Sequence, residues 1–251
     1  MVFPVEIKVN IPASGADVVA ALVQASTAMS KRRIWFAEDR AGVESGLLPL
    51  LATQVIVLLS SGAGSDELTV KLGSCVERQL VGRWRAPFET ESFIYRIEGQ
   101  WRAQRRGLAA VAVSERAEGS LLEVVGTYAD PAEAITSKQR QFLNQCAPPN
   151  VRVDRLVALG PIESTKWIDV PVGGFRVNVE RWTTPNLDLV ELSMRVEPKD
   201  DEQPVDFESR VAAQLTLLEA AAREGGLPID THDDTKTQRL LTSLAHIRVH
   251  H

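Results

Sequence analysis

The stretch VEIKVNI, residues 5–11, alternates without a break: Val5, Ile7, Val9 and Ile11 project to one side of an extended chain, and Glu6, Lys8 and Asn10 to the other. A glutamate and a lysine on the same side of a strand admit two explanations. Either that side meets bulk water, as one face of an antiparallel sheet commonly does, or it lines an interior that needs both charges.

The parity recurs along the chain. In FIYRIEGQWR (93–102), Ile94, Arg96, Glu98, Gln100 and Arg102 oppose Phe93, Tyr95, Ile97 and Trp101. In LTVKL (68–72), Thr69 and Lys71 oppose Leu68, Val70 and Leu72. Arg176, Asn178 and Glu180 oppose Val177 and Val179, and Glu191, Ser193, Arg195 and Glu197 oppose Val190, Leu192, Met194 and Val196. Composition and periodicity leave two architectures open. One is a sheet with a wet outer face; the other is a closed barrel turned inside out, its apolar faces under helices and its charged faces around a hydrated lumen.

The remaining pattern is antiparallel β with interspersed helices rather than alternating βα units. Strands are expected in RRIWFAED (32–39), GLAAVAVSE (107–115), VDRLVALGPI (153–162) and TKWIDVPV (165–172), with a short one in SLLEVVG (120–126). TQVIVLLSS (53–61) and ELTVKLGS (67–74) read as a hairpin across the glycine-rich GAGSD. One helix is expected from Asp130, with Pro131 in its first turn. A longer one starts at Pro204, with the stripe Phe207, Val211, Leu215, Leu218 and Ala222 and a stop at Gly225–Gly226, and a last one from about Asp233. No dinucleotide fingerprint, phosphate-loop motif or zinc spacing is present.

The 251 residues are 44% hydrophobic and 24% charged, an ordinary globular profile. With 28 basic against 33 acidic side chains the net charge is −5, which opposes nucleic-acid and anionic-membrane binding. Trp interleaved with Arg, as in WRAQRR, is read as rim packing rather than as a nucleic-acid face. Cys75 and Cys146 make no disulfide framework, and LLPLLATQVIVLLSS (47–61) is too short for a bilayer span. The start MVFPVEIKV lacks the features of a secretory signal, so a cytoplasmic location with no membrane association is expected. His246 and His250 have a chelating spacing, but their place at the end of a helix is read as favourable interaction with its dipole.

The order VEIKV, LTVKL, YRIEGQW, VERW and VELSM resembles the CYTH-like group of the triphosphate tunnel metalloenzymes, named for a bacterial adenylyl cyclase and thiamine triphosphatase. ITSKQRQFL (135–143), LVALGPIESTKW (156–167) and TKTQRLL (235–241) resemble connecting segments of bacterial members, so the similarity runs from about Glu6 to Lys236. The resemblance implies an α+β fold over residues 1–251 as a single domain: an eight-stranded antiparallel β-barrel enclosing a tunnel, with flanking helices. It also implies that basic residues grip a triphosphate while inward carboxylates hold Mg²⁺ or Mn²⁺, which offsets charge developing in phosphoryl transfer.

Matched position by position, Glu6 and Lys8 fit the second glutamate and the lysine of the Glu-x-Glu-x-Lys signature. Lys71 and Lys166 fit phosphate-contacting positions, Glu98 and Glu191 fit the leading acids of two acidic pairs, and Glu180 fits a further inward acid. The resemblance thus implies Glu6, Glu98, Glu180 and Glu191 as metal ligands and Lys8, Lys71 and Lys166 as phosphate ligands; separately, strand parity places Arg96, Arg102, Arg176 and Arg195 on the charged faces, where they are read as phosphate-binding cations that compensate from other positions. The departures are equally specific. Pro4, Gln100 and Ser193 replace acids, and Leu58 and Ser60 stand where the family has two arginines. A charge-assisted hydrogen bond contributes about 1.5–3 kcal/mol, so losing that pair weakens triphosphate binding by orders of magnitude. Three functions are compatible with this pattern. They are a binder of a phosphorylated or otherwise anionic small molecule with weak or no turnover, a Mg- or Mn-dependent triphosphatase, and a non-catalytic scaffold.

Overall fold

The computed structural model describes residues 2–24, 28–62, 64–230, 232 and 234–249. The chain is α+β. Its strands are β1 (Val5–Ile11), β2 (Met29–Asp39), β3 (Val55–Gly62), β4 (Asp66–Cys75), β5 (Phe88–Thr90), β6 (Phe93–Arg102), β7 (Arg105–Arg116), β8 (Leu156–Val172), β9 (Phe175–Thr184) and β10 (Leu187–Val196). Its helices are α1 (Ala16–Val23), α2 (Arg40–Glu44), α3 (Pro49–Ala52), α4 (Ser120–Gly126), α5 (Ser137–Cys146), α6 (Pro204–Glu224) and α7 (Lys236–Val249). Among the described residues no helix is long and apolar enough to cross a membrane.

The strands form one ten-stranded sheet in the order β1-β10-β9-β8-β2-β3-β4-β7-β6-β5, and β1 also pairs with β6. That additional pairing closes nine strands into a ring and leaves β5 outside it. The expectation of eight antiparallel strands is corrected in two details: the ring has nine strands, and β1 and β6 run parallel, with Val5, Glu6 and Ile7 opposite Gly99, Gln100 and Trp101. The parallel closure depends on Gly99, where a Cβ would fall 2.7 Å from Val5 Cγ2. The closing pairing covers three residues of each strand, and β5 remains at the end of the sheet.

The chain divides into two compact units, the first made of Met1–Lys31, Glu98–Gly107 and Glu163–Lys236, the second of Arg32–Ile97, Leu108–Ile162 and Thr237–His251. In the first, Val5, Ile7, Val9 and Ile11 of β1 join Val177 and Val179 of β9 and Val190, Leu192 and Val196 of β10 in one buried cluster. The cluster is covered by Val19 and Val23 of α1 and by the full α6 stripe, Phe207, Val211, Leu215, Leu218 and Ala222. The apolar strand faces therefore lie beneath helices, as in the inside-out alternative. Their opposite faces are not a washed surface either, because Asn10, Glu98 and Glu191 are only 5–7% exposed.

In the second unit, β2, β3, β4 and β7 pair in antiparallel succession, including the expected β3–β4 hairpin. Trp84 is fully buried among Phe88, Phe93, Tyr95 and Phe142, and its carbonyl accepts from the Tyr95 hydroxyl at 2.7 Å. Buried Gln139 donates to the carbonyls of Leu68 and Ala112, tying α5 to β4 and β7.

Three local expectations change. SLLEVVG is the helix α4, not a strand: the Leu121 amide, at its N-terminal end, donates to Asp66 Oδ2 at 2.8 Å, a tertiary cap that outweighs the β propensity of Val124 and Val125. The helix expected from Asp130 splits into a 3₁₀ turn, Pro131–Ala134, and α5, which is capped reciprocally by Thr136 and Gln139. The segments 153–162 and 165–172 contribute to a single 17-residue strand, β8.

Candidate ligand-binding site

Strand register in the first unit lines up the polar positions. Opposite partners are Glu6 and Arg195, Lys8 and Ser193, and Asn10 and Glu191 between β1 and β10. Glu191 in turn faces Glu180 across β10 and β9, and Glu180 faces Lys166 across β9 and β8. Because directly opposed residues in an antiparallel pair share a face, β1 and the consecutive strands β8, β9 and β10, more than 140 residues away in sequence, deliver their charges to one row.

At its centre are three carboxylates and two ammonium groups. Lys8 Nζ lies 3.1 Å from Glu191 Oε1 and 3.4 Å from Glu6 Oε2. Lys236 Nζ, on the first residue of α7, lies 2.7 Å from Glu180 Oε2 and 4.0 Å from Glu191 Oε1. Glu180 Oε1 also accepts from Ser164 Oγ at 3.0 Å and from the Trp182 indole N–H at 2.8 Å. The Lys236 ammonium sits 3.8 Å from the Trp182 ring centroid, in range for a cation–π contact. Nearby on the sheet, Glu98 is 3.4 Å from Arg195 and accepts from Gln100 at 3.2 Å.

These contacts set protonation. Burial works against the Lys8 charge, but Glu191 and Glu6, with the hydrogen bond to Glu191, outweigh it and raise its pKa above the ordinary lysine value. Burial likewise pushes the Glu180 carboxyl up, yet the Lys236 charge and the hydrogen bonds from Lys236 and Trp182 bring it down to about 2. Both groups are charged at neutral pH.

The donor set fits an ion-pair network better than a divalent metal. Among the described residues no three His, Cys, Asp or Glu side chains gather at metal-binding spacing. Glu6, Glu180 and Glu191 each face an ammonium within 3.4 Å. Lysine nitrogens already supply the positive charge that a hard cation would bring to these oxygens.

No protein-family model and no curated protein matches the sequence. Solved structures do. The chain superposes over 96% of its length on 96% of the proposed adenylyl cyclase HpAC1 from Hippeastrum, described as having a dominant triphosphatase activity, with a TM-score of 0.57 and 15% identity. It superposes over 94% of its length on 96% of a proposed adenylate cyclase from Bacillus halodurans, with a TM-score of 0.54 and 8% identity. The fold is CYTH-like.

Within this CYTH-like fold, Glu6, Lys8, Glu180 and Glu191 are brought into one network. Glu98 is buried beside Arg195 rather than beside those acids' lysines. Lys166 is exposed although it stands opposite Glu180 in register, and exposed Arg176 donates to the Asp169 carbonyl. Arg102 is half-buried at the end of β6. Lys71 and Arg96 belong to the second unit. There Lys71 is half-buried opposite Ile56 and Val111, and Arg96 is exposed. His246 and His250 fall outside the residues whose side chains are described.

Four contributors escaped the sequence reading: Lys236, Ser164, Trp182 and, in the second unit, Arg32. Lys236 left a usable trace. A lysine at the first position of a helix with no acid in its first turn opposes the helix dipole, so its charge has to be compensated from elsewhere in the fold. Arg32 bears on the missing arginine pair, since its guanidinium lies 3.4 Å from Ser60 Oγ and 3.4 Å from Glu67. A neighbouring strand thus brings a cation to one of the two positions that lack it.

Proposed function

We propose that the chain binds a phosphorylated, anionic small molecule at the Lys8–Lys236 cluster with weak or no turnover. The observation that carries this reading is the state of Lys8. Its ammonium has three N–H donors and two carboxylate neighbours, Glu191 and Glu6, which leaves a donor for a phosphate oxygen. One feature keeps binding modest: the same carboxylates compete for the ammonium groups. Calorimetric titration of tripolyphosphate into the protein, with chelator and then with Mg²⁺, tests the reading: saturable binding in both supports it, and no heat at millimolar ligand sinks it.

A second reading is triphosphate hydrolysis, supported by the fold shared with HpAC1 and its dominant triphosphatase activity. Phosphate release from tripolyphosphate and nucleoside triphosphates with Mg²⁺ or Mn²⁺ tests it, and a flat assay at high protein concentration removes it. The single-domain reading over 1–251 belongs with this proposal. Strands β2, β6, β7 and β8 each run from one compact unit into the other, and one calorimetric unfolding transition is the expected result.

A further inference from the structure

Glu180 and Glu191 face each other across β9 and β10, and the first residue of α7 delivers Lys236 to both. The ammonium is 2.7 Å from Glu180 Oε2 and 4.0 Å from Glu191 Oε1, with the Trp182 ring centroid at 3.8 Å. Two carboxylates and an aromatic face together make a place for a cation. It is secluded as well as filled, since Lys236 is 5% and Glu191 6% exposed. Nothing local favours a positive charge there, because a helix N-terminus repels one and the first turn of α7 carries no acid. The two strand carboxylates hold the ammonium in place.

The oxygens around it are committed. Glu180 Oε1 accepts from Ser164 and from the Trp182 indole, Glu180 Oε2 accepts from Lys236, and Glu191 Oε1 accepts from Lys8. A small divalent cation such as Mg²⁺ takes oxygens at about 2.0–2.1 Å in near-octahedral geometry. To bridge Glu180 Oε2 and Glu191 Oε1 it has to enter the space that Lys236 Nζ fills, against an indole ring that offers no oxygen. Metal and lysine are therefore alternatives at this point, and the lysine is part of the chain.

We infer that the Lys236 ammonium is the resident cation between Glu180 and Glu191, in the place a divalent metal would need, and that these carboxylates take up such a metal only when Lys236 is removed. The inference rests on lysine–carboxylate geometry and is independent of the anion-binding reading. Its consequence is a single positive charge, tethered to the fold, where the family resemblance implies an exchangeable double one. A chelator cannot withdraw it, and the neutralisation of Glu180 and Glu191 does not vary with metal supply.

The test titrates Mn²⁺ into metal-free protein, reads free Mn²⁺ by its electron paramagnetic resonance signal, and measures Tm on the same samples. The wild type is expected to bind Mn²⁺ no tighter than about 1 mM and to keep its Tm within about 1 °C with and without the metal. Lys236→Met keeps an unbranched side chain beside Trp182 but withdraws the charge. It is expected to lower the Tm in chelator, to bind one Mn²⁺ at least about tenfold more tightly than the wild type, and to regain part of its Tm on binding. Adding Glu180→Gln to Lys236→Met should abolish the gained affinity. Should Lys236→Met fail to fold in chelator, Lys236→Gln, which keeps a polar end, carries the same comparison. Binding of Mn²⁺ by the wild type at about 10 μM that Glu180→Gln weakens tenfold overturns the inference, and so does a folded Lys236 variant with no gain in Mn²⁺ affinity. Either result leaves phosphate binding to the tripolyphosphate titration, so the two readings fail separately.

Discussion

The two compact units treat the face opposite their cores differently. In the first, that face carries Glu6, Lys8, Glu180, Glu191 and Lys236 in one ion-paired network. In the second, β3 presents Ile56, Leu58 and Ser60, and β4 presents Glu67, Thr69 and Lys71. Both obey the same period-two alternation, so periodicity alone assigns them the same architecture. What separates them is that the first unit holds its cations against acids in a mostly buried setting, where Coulomb attraction is strong and desolvation severe. The second interleaves its charged Glu67 and Lys71 with Ile56, Leu58, Ser60 and Thr69 on that face. The buried ion-paired network therefore belongs to the first unit.

The largest expected consequence is in stability. Glu180→Ala leaves Lys236, only 5% exposed, without its nearest counter-charge, and is expected to destabilise the protein by about 3 kcal/mol in urea unfolding. Replacing both partners, as Glu180→Leu with Lys236→Met, should recover most of that loss. Ser60→Ala, at the corresponding face of the second unit, should cost less than about 1 kcal/mol. Equal losses at Glu180 and Ser60 would erase the contrast.

Acid sharpens it further. Glu180 titrates at about 2 in the folded protein against an ordinary value of 4.5. A lowered folded pKa stabilises above the unfolded value, and the contribution is lost as pH falls through the folded one. The stability advantage of the wild type over Glu180→Gln should thus be constant above about pH 5 and shrink by about 1–3 kcal/mol between pH 4.5 and 2, partial exposure placing it toward the lower end. Urea midpoints of both proteins across this range measure it, and parallel curves would show that Glu180 is not held by Lys236.

For binding, Lys8→Ala removes the ammonium with a donor to spare and is expected to weaken tripolyphosphate about tenfold or more, the weight of one charge-assisted hydrogen bond. Calorimetry in chelator reads the change. An unchanged affinity would move the anion away from the cluster.

Much of this was legible in the sequence because strand parity is strict. VEIKVNI alone separated the buried Val5–Ile11 row from Glu6 and Lys8, and the stripe of α6 was readable residue by residue. Periodicity left the choice between an open sheet and an inside-out barrel unresolved, since both place Glu and Lys on one face; the packing of β1, β9 and β10 beneath α1 and α6 resolves it. What the sequence concealed depends on contacts across long separations. Lys236 meets Glu180 only when α7 begins beside β9, and SLLEVVG turns helical only because Asp66 reaches the Leu121 amide. The parallel pairing of β1 with β6 has no local signature beyond Gly99, whose role is visible only once Val5 lies against it.

The smallest effect is expected at Arg32, and it is the most informative about the second unit. Arg32 is three-quarters covered, with a side-chain exposure of 25%, and its guanidinium is shared between Ser60 and Glu67 at 3.4 Å each. A long, partly solvated ion pair of this kind contributes less than about 1 kcal/mol, so Arg32→Ala should leave the Tm nearly unchanged. If ligand chemistry is confined to the first unit, tripolyphosphate affinity should change by less than about threefold in Arg32→Ala, and no more in Lys71→Ala. A tenfold loss in Arg32→Ala with an intact Tm would break the contrast between the units. It would mean that a neighbouring strand has taken over the role of an arginine absent from Ser60, and that the second unit holds phosphate through a residue the family pattern does not mark.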